Sequence, residues 1–470
     1  MNIVTIVLDT FRSDIIGPGK SCSHIETPTL DRLAAESVVF PNAFGEGQPT
    51  LQVRRAFFTG CRSFPFVCNF DRRGHWHHAP GWHKIPPEQD TLAEILTQRG
   101  YCTGLVSDVY HMFKPTMNYW RGFASWEFIR GQETDNWRVG TPERVADRMK
   151  RHTRDPENLL RNSTLYQYLQ NQAFRKKEED YQCARVFRRA ADWIDENGTN
   201  KPFMLWVEAF DPHEPWDPPK RYADAYCPDD GGIDFIMPRL GPDPSPRDIE
   251  RTKALYSGEV TFLDRWIGHL IEKMEEHDLL KDTLILVLSD HGTQLWDHGD
   301  FGKGGSNLRR YNTGIVWQMR FPDAKPRTIP ALVQSHDVMP TLLDLLDVPY
   351  ARTQGQSVMP LVRGKADSLR ESAVIGWAQF AEGNARAHAS VRTHDWNYVR
   401  PVHTDDAPYL LYNLADDPLE NDNVIDKHPH VAASLERDVG QPLPARLNEV
   451  CDKEPGPVQK YLAARKRFGN

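Results

Sequence analysis

The 470-residue chain is 39% hydrophobic and sets 57 Lys and Arg against 65 Asp and Glu, for a formal charge of -8. That is enough apolar material for one extended core plus a smaller domain, and the mild acidic excess argues against a broad grip on nucleic-acid backbone. No apolar stretch approaches the roughly 20 residues of a membrane span.

In chain order, the apolar run from Asn2 to Leu8 reads as a buried strand that ends at Asp9, with Arg12 and Asp14 just beyond. Residues 29–37 and 91–99 carry Thr or Asp capping signals ahead of short helices. Between them, the pattern from Leu51 to Phe58 after Pro49 is helical, which puts Thr50 at or near a helix N-terminus. Backbone N–H groups and the macrodipole favour anions there, and Arg54 lies one turn on. Taken alone, Thr50 is equally readable as an N-cap. The following segment concentrates His and Trp between Gly74 and His83, a loop placed to wall a pocket or to serve as a surface or interface loop.

Residues 135–177 form a charged, aromatic-rich insertion without a clear core pattern, readable as a lid, an interface arm or a helical decoration. A strand at 203–207 then leads to Asp211, Pro212, His213, Glu214 and Pro215, where prolines on both sides present the imidazole from a stiff loop. Apolar residues at helical spacing fill 250–277, and the strand at 284–288 follows directly. It ends in Asp290 and His291, with His298 and Lys303 beyond. Open α/β sheets bind ligands outside the carboxyl ends of their strands. A carboxylate beside an imidazole at such an end can hold a divalent cation. A helix at 337–346 precedes a change of texture near Tyr350. Shorter strand candidates at 373–377, 389–392, 396–402 and 409–414 suit an antiparallel sheet.

Several stretches together carry a resemblance. They are Val7 to Asp14, Thr27 to Leu33, Arg54 to Gly60, Thr91 to Leu96 before Gly100 and Tyr101, Pro212-His213, Ser289 to Gly292, and Asp416 to Asn421. In this order the chain resembles the sulfatase and phosphonate monoester hydrolase branch of the alkaline phosphatase superfamily. The resemblance implies an α/β, alkaline-phosphatase-like sandwich with a large, mixed but mostly parallel central sheet flanked by helices. A smaller C-terminal α+β subdomain with an antiparallel sheet would follow, dividing the chain into 1–367, including the 135–177 insertion, and 368–470. It further implies one divalent metal ion on Asp9, Thr50, Asp290 and His291, with Thr50 as nucleophile. Arg54, His213, His298 and Lys303 would surround the substrate's oxygens, with Tyr110 and His111 as substrate contacts.

Three departures from the family pattern matter. Most sulfatases place Cys or Ser, convertible to formylglycine, where this chain has Thr50. Threonine cannot become the aldehyde, so no formylglycine is expected. The segment Val106 to His111 lacks a clear equivalent of the lysine that helps bind sulfate, and Asp108 there would disfavour a dianion or help bind a second cation. Thr10 stands where many sulfatases carry a second Asp. One hard ligand fewer favours Mn2+ or Zn2+, with Ca2+ still open.

The expected activity is metal-dependent hydrolysis of phosphate diesters or phosphonate monoesters through a phospho-threonine. The alternatives are sulfate-ester hydrolysis without formylglycine, and an inactive homologue that binds anionic ligands. The expected partner is a small-molecule phosphate, phosphonate or sulfate ester. No nucleic-acid polymer or membrane is expected, and a homo-oligomer is compatible. Seven scattered cysteines and a sequence that enters its first strand without a signal-peptide pattern lead to an expected cytoplasmic location.

Overall fold

The structure, a computed structural model, describes residues 1–17, 20–66, 79–114, 117–156, 163–304, 308–381, 384–402 and 407–437. Its strands, in chain order, include β1 (Asn2–Leu8), β2 (Val38–Val39), β3 (Gly47–Gln48), β4 (Cys102–Ser107), β5 (Ser125–Phe128) and β6 (Phe203–Ala209). They continue with β7 (Thr283–Ser289), β8 (Trp317–Arg320), β9 (Arg327–Thr328), β10 (Ala373–Ala381), β11 (Asn384–Arg392), β12 (Trp396–Pro401) and β13 (Leu410–Asn413). Eight of these form one sheet in the order β9-β2-β8-β7-β1-β6-β4-β5. From β7 to β5 every pairing is parallel, and β8 runs antiparallel to both β7 and β2.

The sequence explains why the middle of this sheet is parallel. All seven residues of β1, β6 and β7 are buried, as expected where helices cover both faces. Alternate residues point into two separate cores. Ile3, Val7, Met204, Trp206, Leu284 and Leu286 pack on one side; Val4, Ile6, Leu205, Val207, Ile285 and Val287 pack on the other. The second core is closed by the helices at Gln182–Asn197 and Pro246–Glu276. The latter starts with a capping box between Ser245 and Asp248 and buries the expected stripe of Leu255, Val260, Leu263, Ile267, Leu270 and Met274.

Register brings the three central strands to a common edge. Leu8 pairs with Ala209 on one side and with Ser289 on the other, so Asp9, Phe210 and Asp290 leave the sheet together. The helix Thr50–Thr59 lies against the opposite face, the one that carries Trp206, where Phe58 meets that indole at 4.7 Å.

β10 to β13 form the expected C-terminal antiparallel sheet. Its first hairpin is longer than the short strand candidates suggest, because Ala373–Ala381 pairs with Asn384–Arg392 along its whole length. One further strand comes from far away: β3, just ahead of Thr50, adds in parallel to β10 through Gly47 with Gly376 and Gln48 with Trp377. The 135–177 segment is helical, one of the three readings, but it has the core face that its sequence did not show. It holds helices at Ala146–His152 and Thr164–Gln172, and Val145, Met149, Leu165, Tyr168 and Leu169 sit in the main core. Its aromatic and amide residues hide an apolar face that a search for aliphatic periodicity passes over. Among the described residues no helix is long and apolar enough to cross a membrane.

Candidate active site

At the common strand edge, Asp9, Asp290 and His291 offer ligand atoms within 4.8 Å of one another, and all three are fully buried. His291 Nδ1 lies 2.9 Å from the carbonyl of Gly292. A carbonyl only accepts, so Nδ1 carries the proton and Nε2 keeps a lone pair. Burial holds the imidazole at a pKa of about 4 against the pull of Asp290, so it is neutral at pH 7. Gly292 is required by contact: a Cβ there would meet the Tyr311 carbonyl oxygen at 2.0 Å.

The carboxylates are held from behind by Arg54. Its Nε donates to Glu208 at 2.8 Å and its Nη1 to Asp290 at 2.6 Å. Nη2 lies 3.1 Å from Asp9 Oδ2, out of line for a hydrogen bond. Asp9 Oδ2 and His291 Nε2 are therefore buried without a hydrogen-bond partner among the described residues. Such atoms are costly unless something binds them. Two carboxylates and a neutral imidazole with open lone pairs fit a divalent cation. Burial and the charge of Asp290 push the Asp9 carboxyl well above its usual range, a tension that a cation would relieve. Burial also works against Asp290, yet His291 and Arg54 hold it at about 2. With His291 neutral, Arg54 is the partner that matters.

Thr10 tightens this cluster. Its backbone N–H donates to Asp290 Oδ1 at 2.9 Å and its hydroxyl to Asp9 Oδ1 at 2.7 Å. It does so at φ +60°, a conformation that costs a β-branched residue on the order of 1–3 kcal/mol and that clusters at functional sites. Thr10 therefore orients both acids where the expected second Asp would have been a ligand.

Thr50 is the first residue of its helix, and the cap position belongs to Pro49. The N-cap reading is thereby excluded. Its hydroxyl has no hydrogen-bonding partner among the described residues, while its carbonyl shares Arg54 Nη1 with Asp290 at 3.2 Å. The helix start is thus fastened to the acid cluster by one nitrogen. This corrects the sequence expectation for Arg54. Wholly buried and spent on three carboxylates, it does not face the substrate's oxygens; it holds the acids and Thr50 in place.

His213 and Lys303 do come to the cluster, each near enough to act on the charge of His291. His213 Nδ1 lies 2.6 Å from the Glu214 carbonyl, which leaves Nε2 as the acceptor. Burial lowers its pKa, so it is neutral and basic in character near pH 7. Lys303 Nζ donates to both oxygens of Glu214 at 2.8 and 2.9 Å and lies 3.5 Å from Thr10 Oγ1. His298 is a second correction. Its Nδ1 lies 3.0 Å from the Tyr311 hydroxyl, and its charged neighbours are Arg309, Asp297 and Glu420. Among the described residues nothing joins it to Asp9, His291 or Lys303. The Gly299 turn carries it toward the C-terminal sheet instead.

Tyr110 and His111 stand on an aromatic wall. His111 packs on Tyr110 at 3.9 Å, meets Trp82 edge-on at 4.7 Å, and lies 6.2 Å from Phe210, which stacks on His213 at 4.1 Å. Trp82, from the 74–83 loop, reaches His111; residues 74–78 lie outside the described residues. The Tyr110 hydroxyl donates to Glu133 at 2.5 Å, and His111 Nε2 is 3.5 Å from the same carboxylate. Asp108, expected as a pocket charge or second metal ligand, instead accepts from Phe210 N at 2.7 Å and Gln132 Nε2 at 2.8 Å.

Glu133 and Glu208 escaped the sequence reading, and Thr10 and Glu214 were named there without the roles the structure gives them. Glu208 had a signal, since it is the one charged residue of β6. A carboxylate there needs a buried cation, and Arg54 is that cation.

Comparison with known proteins agrees with this geometry. Residues 1–348 match the Sulfatase family, and residues 310–445 match the C-terminal region of N-sulphoglucosamine sulphohydrolase. The chain is 23% identical to an ulvan-active sulfatase of Formosa agariphila, over 96% of this chain and 82% of that one. It is 24% identical to an arylsulfatase of Clostridium perfringens, over 79% of this chain and 80% of that one. The fold is shared with the phosphonate monoester hydrolase of Agrobacterium radiobacter, at a TM-score of 0.68 and 19% identity, covering 100% of this chain and 96% of that one. With the family matched over some three quarters of its length, this chain belongs to the sulfatase family of hydrolases.

Proposed function

We propose that this sulfatase-family hydrolase cleaves phosphate diesters or phosphonate monoesters, using Thr50 as its nucleophile. The observation that carries the reading is a threonine, not a Cys or Ser, on the first turn of a helix that Arg54 fastens to Asp9 and Asp290, beside the unpartnered Asp9 Oδ2 and His291 Nε2. A threonine cannot supply the aldehyde on which formylglycine chemistry depends. A hydroxyl can still attack phosphorus.

A divalent ion held by Asp9, Asp290 and His291, with Mn2+ or Zn2+ preferred for this mixed O,N set, would supply Lewis acidity that favours the Thr50 alkoxide. Thr50 Oγ1 would form a bond to phosphorus as the bond to the leaving oxygen breaks, the Thr50 proton passing to that oxygen by way of His213 Nε2. Lys303 is placed to stabilise charge on the transferred group's oxygens. In the second half, His213 Nε2 accepts a proton from water, whose oxygen displaces Thr50 from phosphorus. Tyr110 and His111, with Trp82, give the leaving group an aromatic wall. Five described cysteines carry free thiols, which supports a cytoplasmic site of action as part of this reading.

A second reading, sulfate-ester hydrolysis by direct attack of Thr50 at sulfur, is favoured by the sulfatase names of the relatives. The test is turnover of bis-p-nitrophenyl phosphate, p-nitrophenyl phosphate and p-nitrophenyl sulfate by metal-loaded wild type and Thr50→Ala. Diester cleavage that falls by roughly 10³-fold or more in the variant supports the threonine nucleophile. Full activity in Thr50→Ala rules it out, and preferential sulfate-ester cleavage promotes the second reading.

A further inference from the structure

Glu214 is the charge that the reaction does not need. It follows His213 directly, its side chain is largely buried, and both of its oxygens hold Lys303. Oε2 is also 3.6 Å from His213 Nδ1. Burial alone would raise this carboxyl, but His213 and Lys303 bring it down to about 2; with His213 neutral, Lys303 is the partner that matters and the carboxyl is ionised near neutral pH.

The consequence is a matter of balance. Among the described residues of the cluster, Lys303 is the cation left for a substrate, since Arg54 is spent on Asp9, Glu208 and Asp290. Glu214 cancels it. Around the site, the carboxylates Asp9, Glu208, Glu214 and Asp290 stand against Arg54 and Lys303. A divalent ion would bring that group to neutrality, with no positive surplus. Glu133 adds another carboxylate on the far side of His111. In a buried site each uncompensated charge weighs heavily.

We infer that Glu214 is a specificity-determining residue that sets the charge this site accepts: by occupying Lys303, it admits singly charged ester centres and turns away dianions such as phosphate monoesters. The inference rests on the reading of this cluster as an ester-hydrolase site. It also gives Lys303 two positions, on Glu214 in the free protein and shared with the substrate's oxygens in the complex.

The test measures binding before turnover. Metal-loaded wild type, Glu214→Gln and Glu214→Asp are titrated calorimetrically at mildly alkaline pH with inorganic phosphate, a dianion there, and with dimethyl phosphate, a monoanion. Glu214→Gln is expected to tighten phosphate by about tenfold relative to dimethyl phosphate, while Glu214→Asp keeps the wild-type preference. The same shift is expected in the kcat/KM ratio of p-nitrophenyl phosphate to bis-p-nitrophenyl phosphate. An unchanged binding ratio in Glu214→Gln, or an equal change for both anions, overturns the inference and leaves Glu214 as a loop tie. Circular dichroism of each variant separates either result from misfolding. If no ester is turned over, the nucleophile assignment fails, but the binding ratio still decides the role of Glu214.

Discussion

Two acidic clusters lie at the carboxyl ends of the same sheet, and they treat their lone pairs differently. Asp9 and Asp290, at the ends of β1 and β7, leave Asp9 Oδ2 and the neighbouring His291 Nε2 without hydrogen bonds. Asp108 and Asp211, at the ends of β4 and β6, are closed by an amide: Gln132 Nε2 donates to Asp108 at 2.8 Å and to Asp211 at 2.9 Å. Phe210 N takes the other Asp108 oxygen, and Arg175 balances Asp211 from the insertion. A count of buried acids would rank the two clusters alike. Among the described residues only the first has the open acceptors of a ligand site; the second is a structural knot that ties Gln132 and Arg175 to the sheet.

The sharpest way to break this contrast is to remove an acid from each cluster. Asp290→Asn is expected to lower turnover by roughly 10³-fold and to abolish stoichiometric metal, read by elemental analysis of the purified protein. Asp108→Asn is expected to leave metal content at the wild-type level. If both variants lose metal, the second cluster is also a ligand site and the distinction collapses.

Next in size is the cation behind the first cluster. Arg54→Met leaves Glu208 and Asp290 buried without their partner, and is expected to cost about 3–5 kcal/mol in urea unfolding. A loss below about 1 kcal/mol, the range of an exposed ion pair, would mean that the three carboxylates do not depend on it. The corresponding change in the second cluster, Gln132→Leu, removes a neutral donor and is expected to cost about 1–3 kcal/mol.

The smallest effect is a slope. Burial, and then Asp211, pushes the Asp108 carboxyl up to about 8; burial pushes Asp211 to about 6. Between the ordinary value of 3.8 and these values the folded chain holds protons that the unfolded chain has shed. This pair's contribution to stability is therefore greatest at low pH and is lost as pH rises toward 8. In urea unfolding from pH 5 to 8, Asp108→Asn is expected to show a shallower decline than wild type. An equal slope in both would mean that the raised Asp108 carboxyl does not set the pH dependence of this pair.

Much of the first cluster was legible because each piece ends an apolar run. Asn2–Leu8 and the run before Asp290 can hardly be anything but strands buried on both faces, and their register then fixes where Asp9 and Asp290 emerge. Thr50 and Arg54 were legible as residues, but the direction of the guanidinium was not. That direction is set by Glu208, which the apolar reading of 203–207 stopped short of. Glu214 was hidden for another reason: beside two prolines and a histidine it looks like loop chemistry, and only the approach of Lys303 from a residue almost ninety positions away gives it a partner. His298 shows the converse failure. Its closeness in sequence to His291 suggested one site, yet the turn at Gly299 carries it to Tyr311.

The pairing of Gly47 and Gln48 with Gly376 and Trp377 places the approach to Thr50 inside a sheet built from the last quarter of the chain. During synthesis, the first three hundred residues can leave the ribosome with β1, β6 and β7 all in hand and still lack the strand that pairs with Gly47 and Gln48 just ahead of the Thr50 helix. Domains generally fold as units while the chain emerges N-terminus first. Here the cluster is dated by its latest arrival: a nascent chain stalled before residue 376 carries Asp9, Thr50, Arg54, Asp290 and His291 but not the strand that pairs with Gly47 and Gln48.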